Sequence, residues 1–520
     1  HALLVLIMIV AQAPLLIPIH QYQLQDLQVH IQLQALQVHR ALDRLLQNLL
    51  AVDERLEEDN TFLAEKMKPI FVFFTLSLYF IKSQSASEAF HIVDQEIGYG
   101  ARSLSMGGAF TALGDGSSGM YWNPAGLADV NNGQVYAESY NLFYKNNTLF
   151  LGNSYANPFT VSRVNGVGVL YPVATVRGSL VFGIGYNRIH HYDNLMSFAG
   201  YSKYNNDMEF PINTDGQLLY YRFNQNVERF EKIMSNGARD HLTLSFGIAL
   251  SPNLAGGVSI SKMSGIENYD FEFLQKDIAD NYQQFPADFL SYEVFQSLKT
   301  ETEAWKLRGG VKYIYSPFQF GLSIATPYVV NVVEHHGTQE RLIFDNADYS
   351  DTLEFGYYDY KVQMPATIDI GVAFVTDVNL SFSIGYRIQD WSKMQFNLMD
   401  FSALSEEYKT MSVENDFIDQ EYRMISQMRV GVEGLIPFSE TFGLTARAGM
   451  AFIPSPQRSG TAEKQISSFG LGIPLQRRVI LDFAFIHSFQ KKVSNDSYVP
   501  SDVVEEIRKS EILLNVSYLF

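Results

Sequence analysis

His241 to Leu250 reads HLTLSFGIAL. Leu242, Leu244, Phe246, Ile248 and Leu250 stand at every second position, with His241, Thr243, Ser245, Gly247 and Ala249 between them. A period of two puts the large apolar side chains on one face of an extended strand and the small or polar ones on the other. In a soluble sandwich the apolar face turns inward, whereas in a membrane barrel it turns out to lipid and the polar face lines the lumen.

The same period recurs to the end of the chain. It is clear in Leu380, Phe382, Ile384, Tyr386 and Ile388, in Phe318, Phe320, Leu322 and Ile324, and in Val479, Leu481, Phe483 and Phe485. Strands are expected near 134–144, 164–172, 178–192, 241–250, 255–267, 303–315, 318–332, 361–375, 379–392, 422–436, 442–453, 466–473, 478–489 and 511–520. The links between them alternate, long then short: Asp193 to Asp240 is long, Ser251 to Leu254 short, Asn268 to Thr302 long, Ser316-Pro317 short. An up-and-down outer-membrane barrel has an even strand number, short periplasmic turns and long outer loops. The fold expected is therefore an all-β transmembrane antiparallel up-and-down β-barrel of about 14 strands.

One stretch has no place in that wall. Gly98 to Ala128, GYGARSLSMGGAFTALGDGSSGMYWNPAGLA, is rich in Gly, Ala and Ser and keeps no period for long. Coil of this kind buries too little surface alone to offset its ordering entropy, so it needs an enclosure. Phe110, Tyr121, Trp122 and Leu127 set it apart from a flexible linker. Residues 88–132 are expected to form a hatch inside the lumen, on the periplasmic side, and 133–520 the barrel.

The chain has 520 residues, a formal charge of 38 − 56 = −18 and no cysteine. The acidic balance disfavours a nucleic-acid partner, and the missing cysteines exclude disulfides and thiolate chemistry. Residues 1–66, with the Gln/Leu/His-rich tract from Gln21 to Leu50, read as a non-native or mis-called extension. Met67-Lys68, the apolar run Pro69 to Ile81 and the small polar stretch from Ser83 to Ser87 have the three parts of a secretory signal peptide, 67–87.

The last strand, EILLNVSYLF from Glu511 to Phe520, places Ile512, Leu514, Val516, Tyr518 and Phe520 on one face. A terminal aromatic on such a strand resembles the signal by which bacterial outer-membrane proteins engage the barrel-assembly machinery. SMGGAFTALGD and NPAGL in the plug, VLYPVATVRGSLVFGIGYNR from Val169 to Arg188, and the closing YLF together resemble the FadL/TodX family of outer-membrane transporters. The likeness implies a porin-like channel in the bacterial outer membrane for long-chain fatty acids or other hydrophobic compounds, without cofactor or enzymatic activity, standing as a monomer among outer-membrane lipid. It also implies a hatch or gate at Asn123, Pro124, Ala125 and Gly126, and sideways release beside a kinked strand, where Gly183 and Gly185 offer a bend or simply room for the hatch.

A hydrophobic solute needs an apolar capture site, because each CH₂ favours leaving water by about 0.8 kcal/mol. Phe285, Phe289 and Tyr292, around an expected amphipathic helix in an outer loop, are candidates for it. Arg308, Lys312, Arg387, Arg429 and Arg447, on faces assigned to the lumen, are candidates for a carboxylate head group, or else partners of Asp369, Glu433 and Asp482. Adjacent His190-His191 and His335-His336 point to opposite strand faces and make poor metal sites. No GxSxG elbow occurs. The alternative function is a hatch-bearing barrel that binds and shuttles substrates for a protein secretion system, as a related barrel does in type IX secretion.

Overall fold

A computed structural model describes residues 85–520, apart from 94, 206–208, 215–216, 285–287, 346–348, 378, 440–442, 459–462, 476–477 and 496–501. Residues 1–66, nearly all of the signal-peptide segment, and Phe285 lie outside the described residues.

The wall is built from fourteen antiparallel strands. In chain order they are β1 (Gln134–Phe150), β2 (Asn153–Val173), β3 (Leu180–His191, continued by Asn194–Ser202), β4 (Val227–Ser251), β5 (Leu254–Lys276), β6 (Phe289–Tyr315) and β7 (Phe318–Ala325 with Tyr328–Phe344). Then follow β8 (Tyr349–Met364 with Thr367–Val375), β9 (Leu380–Asp390 with Gln395–Phe396), β10 (Met424–Pro437), β11 (Gly443–Ile453), β12 (Lys464–Leu475), β13 (Val479–Asn495) and β14 (Asp502–Leu519). Pairing of β1 with β14, Gln134 opposite Leu519, closes the barrel. Closure pairs the first strand with the last, so neither end of the sheet is left as an open edge.

The greasy faces point out. Leu244 is 59% exposed while its neighbours Thr243 and Ser245 are buried facing the lumen. The same holds along β3, where Phe182, Ile184 and Tyr186 alternate with buried Val181, Gly183 and Asn187. Charged residues facing outward, such as Lys262 paired with Glu303 at 3.2 Å, end this apolar band on the long-loop side.

The strands do not stop there. β6 has 27 residues, about 90 Å if fully extended at about 3.3 Å per residue, three times the hydrocarbon thickness of a bilayer. Several expected long loops are therefore continuing hairpins: β1 turns into β2 at Leu151-Gly152, both at positive φ. The amphipathic helix expected around Phe271 to Phe295 is likewise the paired ends of β5 and β6, Phe273 opposite Val294. Their inner faces bury Phe273, Phe289 and Tyr292 with Phe210, Phe223 and Leu342 in a satellite core beyond the bilayer.

Short helices fill the bore instead. They are α1 (Ala86–Val93), α2 (Ala101–Ser105), α3 (Gly119–Trp122) and a 3₁₀ turn (Pro124–Asp129). Helix α4 (Glu406–Glu421), between β9 and β10, caps its N-terminus with Ser405, whose hydroxyl accepts from the Tyr408 N–H at 3.2 Å. Phe90 of α1 stacks edge-on against Trp391, ring centroids 5.0 Å apart, beside buried Met411, Ile418 and Tyr422.

Candidate functional site: the hatch, the lumenal cavity and a gap in the wall

The hatch packs backbone against backbone. A Cβ at Gly371 of β8 would come within 2.7 Å of the Ala112 nitrogen, and one at Gly247 of β4 within 2.7 Å of the Pro124 oxygen. Gly257, Gly321, Gly431 and Gly449 meet the hatch backbone in the same way on their own strands, and Gly310 and Gly470 meet the side chains of Asn123, Pro124 and Ser105. Lumen-facing glycine on strand after strand is thus the mould into which the plug fits. Gly183 and Gly185 belong to this set. A side chain there would strike Met120, and β3 pairs regularly through both of them. Of the two readings, a bend or room for the hatch, the contacts with Met120 correspond to the second; the pairing with β2 ends further on.

Asn123 explains the Asn-Pro-Ala-Gly turn. Its Oδ1 accepts from the Ala125 N–H at 3.1 Å, capping the 3₁₀ turn with Pro124 at its first position. Its Nδ2 donates to the Thr111 carbonyl at 2.8 Å and to the Val311 carbonyl of β6 at 3.1 Å, so one side chain ties hatch to hatch and hatch to wall. Gly126 lies against Gly114, where a Cβ would sit 2.6 Å from the Gly114 Cα.

The five cations expected to receive a head group are all lumenal, and all are engaged around the hatch. Arg308 and Arg387 share Asp369, at 2.5 and 2.6 Å, and Arg387 also donates to the Tyr121 hydroxyl at 2.8 Å. Lys312 donates to the Leu113 carbonyl at 2.7 Å and to Asp129 at 2.5 Å. Arg447 bridges Glu433 and Asp482 at 2.6 and 2.7 Å, and Glu433 in turn receives Arg102 of the hatch. Arg429 donates to Gln427 at 2.7 Å and lies 4.9 Å from the Trp122 ring. These are clasps of the plug, and none of the five lines the cavity above it.

Hatch groups titrate accordingly. Burial alone would raise the Glu96 carboxyl, but the charges of Lys306, His241 and Arg239 outweigh it and hold it well below the usual carboxylate range. Burial pushes the Tyr121 phenol up to about 12. Among the described residues no group of three His, Cys, Asp or Glu side chains is placed to hold a metal ion.

Above the hatch lies a cavity of about 350 Å³. Ile97 and Leu104 of the hatch, Tyr140 and Tyr144 of β1, and Ile507 and Leu513 of β14 give it apolar surface; Lys464, Lys509 and Glu511 give it charge. A second cavity, about 380 Å³, opens below the hatch and touches Gly100, Ala101 and Arg102. Gly98 and Leu104 line the first cavity and Gly100 to Arg102 the second, so this hatch segment has a cavity on either side. None of these cavity residues was picked out from sequence, although Tyr140, Tyr144 and Leu513 occupy inward positions that the strand period defines.

The wall is broken beside this cavity. β2 pairs with β3 only from Gly166 to Val173; above Gly166 opposite Asn187 that ladder ends. Both strands are irregular at this height, β2 by a bulge that leaves Asn165 unpaired with β1, β3 by one between Arg188 and His190. Beyond the bulge, Asn194–Ser202 pairs with β4 on one side and turns its other side onto the inner face of β1 and β2. Thr148 Oγ1 donates to the Ser197 carbonyl at 2.6 Å, and Asn157 Nδ2 to the same carbonyl at 3.3 Å. β3 has left the wall, and the cavity reaches Asn165, Arg188 and Asp193 at the place it vacated.

The barrel has solved counterparts. The toluene transporter TodX of *P. putida* matches with a TM-score of 0.50 at 12% identity, covering 82% of this chain and 99% of that one. The toluene transporter TbuX of Ralstonia pickettii matches with 0.50 at 16% identity, over 82% and 99%. A FadL homologue of Pseudomonas aeruginosa matches with 0.50 at 12%, over 82% and 98%. The fold is that of the FadL/TodX outer-membrane transporters. No protein-family model and no curated sequence matches the chain. At such identities the FadL/TodX likeness fixes the path of the backbone, and the chemistry of the lumen has to be read from this chain's own side chains.

Proposed function

We propose that the protein is a channel in the bacterial outer membrane for uptake of hydrophobic small molecules, captured on the outer side, held in the cavity above the hatch and released sideways into the bilayer. The observation that carries this reading is the end of the β2–β3 ladder at Gly166 and Asn187, beside a partly apolar cavity and directly above a closed plug. A polar solute gains nothing from such an exit. An apolar one gains about 0.8 kcal/mol for each CH₂ moved from water to hydrocarbon. The solved structures sharing the fold include two described as toluene transporters, which favours small hydrophobic compounds as a class; long-chain fatty acids belong to the same class.

The reading extends to assembly. Phe520 packs its ring on Gly133 and donates its N–H to the Gly133 carbonyl at 2.9 Å, so the terminal residue lies at the seam that β14 closes, in keeping with delivery by the barrel-assembly machinery and a monomeric barrel. The test is transport. Vesicles carrying the protein should take up a labelled aromatic hydrocarbon or fatty acid faster than empty vesicles. Equal rates for both ligands would end the proposal.

A further inference from the structure

At the foot of the gap stands a carboxylate without a cation. Glu138 of β1 is buried; its Oε2 accepts from the Ala101 N–H of the hatch at 2.6 Å and its Oε1 from Asn165 Nδ2 at 2.7 Å. Arg102, next to Ala101, is paired with Asp115 and Glu433, Arg163 with Asp193 at 2.7 Å and Arg188 with Asp240 at 2.9 Å. Because an ionised carboxylate only accepts, its bond to Asn165 fixes which end of that amide faces it. Asn165 Oδ1 is left buried with no hydrogen-bond partner.

One step across the ladder the complementary group is also orphaned. Asn187, opposite Gly166, accepts the Tyr136 hydroxyl at 3.0 Å on its Oδ1, and its Nδ2 is buried without a partner. Asn165 is 4% and Asn187 1% exposed, and leaving such atoms unpaired is unfavourable. Asn187 Nδ2 is turned toward Gly185, whereas Asn165 lines the cavity at the point where the ladder between β2 and β3 ends.

We propose that Glu138 and Asn165 form a head-group subsite that takes a hydroxyl on an apolar body, in preference to a carboxylate. A hydroxyl in the cavity donates to Asn165 Oδ1, the acceptor left unused there. A carboxylate has no proton for Asn165 and meets the charge of Glu138 in a low-dielectric wall. Lys464 and Lys509 belong to β12 and β14, strands not adjacent to β2, and the cavity places Glu511 among them. The subsite rests on the transport reading and narrows its substrate class to neutral, hydroxyl-bearing hydrophobic compounds.

The test is calorimetric titration of the full chain in detergent at pH 8 with biphenyl, 4-phenylphenol and 4-phenylbenzoate, which differ only at the head. 4-Phenylphenol should bind about tenfold tighter than biphenyl, the worth of a hydrogen bond to a buried orphan, and 4-phenylbenzoate weakest of all. Asn165→Ala should bring 4-phenylphenol down to the level of biphenyl. Glu138→Gln should tighten 4-phenylbenzoate about tenfold relative to biphenyl. Heat-modifiable mobility on gels verifies that both variants are folded, and the ranking on the unmodified protein needs neither. Equal binding of the three probes, or 4-phenylbenzoate ahead of 4-phenylphenol, overturns the subsite and leaves the transport reading standing. Binding of none of them overturns the transport reading itself, and the subsite with it.

Discussion

Asp369 is the keystone of the hatch clasp, and its replacement gives the sharpest test of how the plug is held. The carboxylate is buried between two guanidiniums, Arg308 at 2.5 Å and Arg387 at 2.6 Å, and Arg387 carries the contact on to Tyr121 of the hatch. Asp369→Ala removes the shared anion and strands two buried cations. Breaking a buried pair by deleting one partner costs about 3–5 kcal/mol, because the remaining charge is left uncompensated. Removing charge from all three positions, as Asp369→Ala with Arg308→Met and Arg387→Met, should recover much of that loss, since a buried ionic cluster replaced by apolar side chains of similar volume is often neutral. The assay is the urea midpoint of the heat-modifiable folded band, with ion conductance in planar bilayers as the readout of plug closure. Asp369→Ala should unfold at lower urea and conduct more than the unmodified protein, and the triple variant should lie closer to the unmodified protein on both. A single variant that matches the unmodified protein in midpoint and conductance would refute the clasp.

Further predictions address the other parts of the path. The folded-state carboxyl of Glu96 is depressed, so its contribution is present above the ordinary carboxylate pKa of about 4.3 and is lost as pH falls from there through its lower folded value. Conductance should therefore stay low at pH 5 and rise only in stronger acid, and Glu96→Gln should abolish that acid step. Gly371→Val places its Cβ within 3.0 Å of the Thr111 Cβ and still nearer the Ala112 nitrogen, an overpacking worth about 1–3 kcal/mol; raised conductance with an intact barrel is expected, and an unchanged plug would contradict the mould. Asn157 and Ser197 are in side-chain contact across the departed strand, and because the chain has no cysteine of its own, Asn157→Cys with Ser197→Cys gives a selective tether. Oxidation should slow hydrophobic uptake and reduction restore it, if movement of Asn194–Ser202 accompanies release. Phe289→Ala should cost the outer sheet about 3–5 kcal/mol, seen as earlier proteolysis beyond the bilayer, while uptake by surviving barrels is unchanged.

What the chain spelled out residue by residue was its wall. HLTLSFGIAL and its counterparts declare the strand, its lipid face and its lumenal face, because a period of two is a local property and the bilayer enforces it on every membrane-crossing segment. The plug was legible for the opposite reason: a Gly-rich stretch with Trp122 and Tyr121 can be ordered only inside something. Beyond the bilayer the rule lapses. Asn268 to Thr302 folds as two long strands over a satellite core, and its aromatic residues pack against one another there.

Other features depended on residues far apart in the chain meeting in space. The mould of glycines is spread over eight or more strands and has no spacing of its own along the chain. Arg308 and Arg387 could be assigned to the lumen from the period, yet their shared partner Asp369 and their grip on the hatch follow from the shear of the closed barrel. The departure of β3 from the wall follows from two bulges at one height, each a single unpaired residue, and Asn165 and Ile189 give no hint of them. Side-chain alternation is written in a strand, but which strand stands beside it, and at what height their pairing fails, is settled only when the sheet closes on itself.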